Sequence, residues 1–171
     1  TMRLFAEEKK NRTMDLLMTS PLTATQIVLG KLFGGLFIVW SIVGLMVVYP
    51  LSTMLFASID KGPIFTGFLG MFLLSGVYVS IGIFASSISD NQIVAFILAV
   101  FLCFFCYIGF EYISMLDLFG KVDDFILSIG INDHYMSMSR GVIDTRDMVY
   151  YLSLISIFIL LTKTTLESRK W

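Results

Sequence analysis

The chain has 171 residues, 57% of them apolar and only 15% charged, with a mean hydropathy of +0.85, whereas a soluble domain carries about a quarter charged residues. A net charge of −1 gives no basic surface for nucleic acid, and two cysteines build no disulfide framework. No basic n-region, short apolar run and small-residue cleavage site opens the chain, so no signal peptide is read.

In chain order, residues 1–26 form a polar, helix-prone segment. Arg3–Glu7 and Glu8–Arg12 are spaced i,i+4, which supports a helix. Ser20-Pro21 interrupts it, and Thr23-Ala-Thr-Gln26 reads as a capping box that starts a first span, 27–56. Residues 57–63 read as a tight turn, 64–88 as a second span, 85–92 as a short turn at its end, and 91–112 as a third span. Such short links make these spans antiparallel neighbours. In the loop 113–147, Leu118, Phe119, Val122, Phe125, Ile126 and Ile129 follow helical spacing, with Lys121, Asp123 and Asp124 opposite. That pattern predicts an amphipathic helix at the membrane surface or against the spans. Arg140-Gly141 looks like a helix end. Asp144-Thr145-Arg146-Asp147 reads as the capped start of a fourth span, 148–166, followed by a tail, 167–171.

The spans are defined by gaps between charges. Residues 32–59, 62–89, 91–110 and 148–162 hold no charge, and about 20 apolar residues cross a bilayer. The fourth gap is short, but the Lys163 ammonium can snorkel toward the headgroups. Eleven Leu, Ile, Phe or Val residues lie in Phe65–Phe84; they favour insertion by roughly 3–7 kcal/mol, of which one central charge removes about 3. Four spans put both ends on one side. That side carries Arg3, Lys9, Lys10, Arg12, Lys31, Lys163, Arg169 and Lys170, against Lys61, Lys121, Arg140 and Arg146 opposite. Eight cations against four make the ends cytoplasmic.

Most catalytic signatures are missing. GxxxxGK[ST], HExxH and a Ser/His/Asp set are all absent, so the chain binds no ATP through a P-loop. His134 has no metal partners and reads as a surface or packing residue. Cys103-Phe-Phe-Cys106 matches CxxC by count only and reads as helix packing. Gly30 with Gly34, and Gly76 with Ser80, have the spacing of close helix contacts, inside the subunit or at a dimer seam. Glu111, at the end of the third span, either marks the interface or lines a polar path and outer gate.

The first segment is the most informative. Met2-Arg3-Leu4-Phe5-Ala6-Glu7-Glu8-Lys9-Lys10-Asn11-Arg12-Thr13-Met14-Asp15-Leu16-Leu17-Met18-Thr19-Ser20-Pro21 is a charged helix that breaks at Pro21 before a span. Its chemistry fits a lever against a soluble partner and an ordinary solvated loop equally well.

These residues also resemble a family. The pattern R-x-F-x-E-E-x-x-x-x-T-x-[DE]-L-L-x-T-x-P, then a Gly-Lys, is here Arg3, Phe5, Glu7, Glu8, Thr13, Asp15, Leu16, Leu17, Thr19, Pro21 and Gly30-Lys31. It resembles the permease subunit of type-2 ABC exporters, and most of all the gliding-motility-associated permeases. Arg140–Asp147, Tyr150–Ser153 and the Arg169–Trp171 tail look like the same family. Arg12 stands where the family usually has Gly, and Asp15 where it has Glu. The resemblance covers nearly the whole chain. It implies an all-α membrane protein whose four spans are the last four of six, so that two upstream spans are expected in a longer protein. It implies a multi-pass protein of the cell inner membrane that transports without itself catalysing. Arg3, Glu7, Glu8, Thr13, Asp15, Leu16 and Leu17 would form a cytoplasmic coupling helix on an ATP-binding cassette subunit, which holds ATP and magnesium; this chain holds no cofactor of its own. A second permease copy would complete the pathway, and short helices at 117–140 would act as a lid. The alternative is a non-transporting membrane scaffold of a gliding or secretion machine. No span carries a side-chain set that selects a cargo.

Overall fold

The computed structural model of the chain describes residues 5, 6, 8, 23–54, 56, 60–115 and 123–168, and for 124–126 the backbone alone. Regular structure among the described residues is entirely helical. Leu118, Phe119, Lys121 and Val122 of the amphipathic pattern lie outside the described residues.

Thr23 opens α1 (Ala24–Met46) through a capping box. Its hydroxyl accepts from the Gln26 N–H at 3.3 Å, and Gln26 Oε1 accepts from the Thr23 N–H at 2.9 Å. The first span then breaks. Pro50 has no N–H, and its ring collides with the carbonyl four residues back, which is that of Met46, where α1 ends. The chain turns at Val47, whose N–H bonds the Gly44 carbonyl at 3.2 Å, and resumes as α2 (Val48–Met54).

Asp60 caps α3 (Lys61–Ile88), accepting from the Gly62 N–H at 3.1 Å. Pro63 falls in the first turn, where its missing N–H costs nothing. The helix therefore includes Lys61, Gly62 and Pro63, although Gly-Pro alone signals a turn. At its other end α3 runs on through Ala85, Ser86, Ser87 and Ile88. The first three are buried, and that packing outweighs the weak helix preference of serine. Only Ser89, Asp90 and Asn91 link α3 to α4 (Gln92–Phe104), which Asn91 caps at 2.9 Å.

The third span is not a continuous α-helix. A π-helical turn at Phe105–Gly109 separates α4 from α5 (Phe110–Met115). Gly109 is needed here, because the Phe105 ring occupies the space of a side chain; a Cβ would stand 2.8 Å from its Cδ2. Beyond α6 (Asp123–Ile129), Gly130 starts α7 (Ile131–Ser139). Gly141, at φ +94°, ends that element in the left-handed region and lies against Pro63. Asp144 caps α8 (Thr145–Glu167), accepting from the Arg146 N–H at 2.9 Å.

Among the described residues four stretches are long and apolar enough to cross a membrane: Ala24–Met54, Lys61–Ile88, Gln92–Met115 and Thr145–Glu167. The helix α3 is central and packs on α8, α4, α1 and α7. In its apolar stretch 56% of residues are buried, against 11–22% in the others. Phe33, Phe37, Leu45, Ile93, Ile97 and Phe101 point outward, as side chains do when the solvent is lipid tail. One core unites Phe5, Val28, Leu32, Leu36, Val79, Ile83 and Leu166; a second unites Val77, Ile81, Ile131, Met138 and Tyr151. The helix α7 thus lies against the spans.

Helix α3 meets α8 at Gly76, where a Cβ would come within 2.8 Å of Ile155 Cδ1. Overfilling such a contact costs about 1–3 kcal/mol. Gly76→Val should lower the thermal midpoint of the detergent-purified protein, and Gly34→Ala, with nothing within 4 Å of its Cβ position, should not. Equal midpoints would show that the contact carries no packing constraint.

Candidate functional site

Polar side chains gather at the two ends of the bundle. The end with Thr23, Ser89 and Glu167 is here the proximal end; the end with Asp60 and Asp144 is the distal end.

At the proximal end the first segment is fastened to the spans. The Phe5 and Ala6 N–H groups both donate to Ser86 Oγ, each at 3.0 Å. A hydroxyl oxygen has two lone pairs, so one serine can accept both. The Phe5 side chain is fully buried against Val28, Leu32, Ile83 and Leu166, and so reaches α1, α3 and α8 at once. Lys31 Nζ lies 4.4 Å from the centre of the Phe5 ring and 2.7 Å from Glu8 Oε1. The ammonium therefore combines an ion pair with a cation–π contact in a largely buried place.

Glu8 is turned inward to Lys31, because an ammonium at the start of the apolar run needs a counter-charge within reach. Arg3, Glu7, Thr13, Asp15, Leu16 and Leu17 lie outside the described residues. The structure adds Phe5, Lys31 and Ser86 as the contacts that hold the segment. Lys31 carried a signal, as a lone cation on the rim of a span; Ser86 carried none, being one of three serines in Ala85–Ser89.

The small-residue pairs separate. Gly76 and Ser80 are buried inside the subunit, the Ser80 hydroxyl donating to the Val77 carbonyl at 2.7 Å. Gly30 and Gly34 are exposed with nothing within 4 Å of their Cβ positions. Cys103 and Cys106 are half-buried free thiols beside Tyr78, Tyr107 and Tyr150.

At the distal end, Glu111 Oε2 accepts from Asn132 Nδ2 at 2.8 Å, which ties the third span to α7. His134 has a larger part than a surface residue. Its Nδ1 is 2.6 Å from Asp147 Oδ1, its Nε2 is 2.9 Å from the Ser128 carbonyl, and its ring stacks on Tyr150 at 3.9 Å. The Tyr150 and Tyr151 hydroxyls donate to the carbonyls of Ile129 and Ile131. Burial pushes the Tyr135 phenol of α7 above its usual range, with the neighbouring Tyr107 adding to the shift. No three His, Cys, Asp or Glu side chains converge on a metal site among the described residues.

An all-α, multi-pass membrane protein with polar clasps at both ends of its spans is a class shared by many transport components. Over residues 1–167 the sequence matches the family model described as ABC-2 family transporter protein, and the chain belongs to that family. No curated protein matches it. Membership makes the chain a permease component of an ABC transporter, a family whose members work in the bilayer with an ATP-binding cassette subunit.

The clasp on Ser86 has a direct test. Ser86→Ala removes the acceptor of two N–H groups, each net bond being worth about 1 kcal/mol. Amide exchange at Phe5 and Ala6 should speed up by about tenfold, with little change at Val77 or Ile81. Unchanged exchange at Phe5 and Ala6 would show that Ser86 does not hold the segment.

Proposed function

We propose that this permease belongs to an exporter and that residues 1–26 are its coupling segment. The observation that supports this most is the clasp of Phe5 and Ala6 on Ser86, backed by the Lys31–Glu8 pair. A segment that only filled a solvated loop would not need its backbone bonded to a buried serine of the central helix. In this reading Arg3, Glu7, Thr13, Asp15, Leu16 and Leu17 meet the cassette subunit, which carries ATP and magnesium, and Glu8 works from the inner face of the same segment. Cassette closure moves the segment, Phe5 and Ser86 pass the movement to α3, and the spans open alternately to each side. ATP acts only through contacts that differ between the two arrangements.

The rest of the reading follows from topology. The proximal end faces the cytoplasm of a cell whose inner membrane holds the protein, as the eight-to-four distribution of cations favours. The exposed Gly30/Gly34 face of α1 receives a second permease copy, since small residues let helix backbones approach closely. The Glu111–Asn132 bond and α7 form the outer gate. Gliding motility is the narrower setting, supported by the sequence resemblance alone.

Glu7→Ala combined with Glu8→Ala should weaken capture of the cassette subunit or lower its permease-stimulated ATP turnover several-fold. Unchanged capture and unchanged turnover would sink the coupling assignment. Orientation is tested separately in a background lacking Cys103 and Cys106. A membrane-impermeant thiol reagent added to intact cells should label Lys61→Cys and spare Asp90→Cys. The reverse pattern would invert the topology.

A further inference from the structure

Both ring nitrogens of His134 face acceptors. Nε2 lies 2.9 Å from the Ser128 carbonyl in the last turn of α6, and Nδ1 lies 2.6 Å from Asp147 Oδ1 in the first turn of α8. A neutral imidazole has one N–H and one bare lone pair, so it can donate to only one of these neighbours. The two contacts together call for two protons. One is on Nε2, because a backbone carbonyl has no hydrogen to give; the other lies between Nδ1 and Oδ1. The Tyr150 ring, stacked at 3.9 Å, adds the π-face that a cation favours.

The imidazole side chain is 16% exposed. It lines a cleft of about 340 Å³ with Asp133, Arg140, Asp144, Arg146 and Asp147, through which protons reach it. That lining carries both signs of charge, and the direct contacts set the proton count. Other elements packed on α7 bring further titratable groups. Lys61, exposed in its first turn, and Tyr78 are on α3, Cys106 and Tyr107 on the π-turn, and Asp123 on α6. Glu111 of α5 is bonded to Asn132. Tyr150 and Tyr151 of α8 donate to the carbonyls of Ile129 and Ile131, and phenols keep their protons where imidazole changes charge.

We propose that His134 and Asp147 form a proton-operated latch, which fastens the corner between α6 and α7 while the pair holds two protons and frees the Ser128 side when it holds one. The direction follows from the acceptors. When one proton leaves to solvent, the other stays between Nδ1 and the carboxylate, because a hydrogen bond to an ionised acceptor is the stronger. Nε2 is then bare, and its lone pair faces the lone pairs of the Ser128 carbonyl. Tyr150 and Tyr151 still hold Ile129 and Ile131, so release is confined to the end of α6. Low pH closes the latch and high pH opens it. The latch stands independently of the coupling segment, which is at the opposite end of the spans.

The test uses the full-length permease, isotope-labelled at histidine nitrogen and purified in detergent without a histidine tag. His134 is the one histidine of these 171 residues, and its signals are those that His134→Gln removes. Ring-nitrogen NMR should show a proton on Nε2 at about pH 5 and none at about pH 8, where Nδ1 carries the remaining one. Amide exchange across residues 127–130, each rate divided by its intrinsic rate at that pH, should rise about fivefold as Nε2 loses its proton. Exchange at Val77 and Ile81 should not follow it, and in His134→Gln the rise should vanish. Should that variant fail to fold, the ring and exchange titrations of the unmodified sequence carry the test. A bare Nε2 at about pH 5, a protonated Nε2 at about pH 8, exchange that does not follow Nε2, or a rise that survives in His134→Gln would overturn the proposal.

Discussion

Hydrocarbon offers no hydrogen-bond partner, so each polar group inside a span must find one within the protein. The fold follows from this constraint. Backbone groups are paired within helices, and most hydroxyls along the spans return to a carbonyl of their own helix. Ser41 donates to Phe37, Ser80 to Val77, Ser156 to Leu152 and Thr162 to Phe158. Trp40 is an exception that stitches α1 to α3, its indole N–H reaching Ser75 Oγ at 3.1 Å. Groups with more hydrogen-bonding capacity than a hydroxyl are pushed to the ends. That is why Lys31, Glu8 and Ser86 meet at one end, and Glu111, Asn132, His134 and Asp147 at the other.

The same constraint explains what could be read from the residues alone. Uncharged runs bounded by Lys31, Asp60, Lys61 and Asp90 delimit spans because one charge at the centre costs about half of what a whole span gains. The Thr23–Gln26 box, the Asp144 cap and the Gly141 helix end are local, set by residues within a turn of one another. The break at Val47 is set just as locally, by Pro50, although residues 27–56 read as one unbroken span. The π-turn at Phe105–Gly109 was not legible, since it depends on how the Phe105 ring settles over a glycine inside a uniformly apolar run. Nor were the end clasps. Phe5 and Ser86 are 81 residues apart, and Glu111 and Asn132 are 21 apart; no spacing rule spans such distances. His134 looked isolated for that reason, its partner Asp147 being 13 residues on and brought back by the Gly141 turn.

Helix α3 is what makes these separate clasps one structure. At about 1.5 Å per residue its 28 residues extend about 42 Å, longer than the roughly 30 Å hydrocarbon core. Both ends therefore reach the headgroup layers, which is where Ser86 bonds the first segment and Pro63 meets Gly141. Helix α8 is similarly engaged: Leu166 packs in the core that holds Phe5, and Asp147 holds His134 of α7. The two helices thus share a joint at each end.

Between those joints the two helices are in contact at Gly76–Ile155 and at Phe84–Phe158, whose ring centres lie 5.7 Å apart. A close small-residue contact with a clasp on either side restricts the ways α3 can move relative to α8. Sliding along the axis would drive Ile155 into a neighbouring side chain of α3 instead of the gap at Gly76, which close packing penalises. Tilting about Gly76 keeps that contact and moves the two ends in opposite senses. In the proposed coupling, a displacement of Ser86 by the first segment would then change the fit of Pro63 against Gly141 at the far end, where α7 meets the start of α8. In the proposed coupling, the pivot of one long helix on another would connect the two polar ends, with no charged group needed inside the membrane.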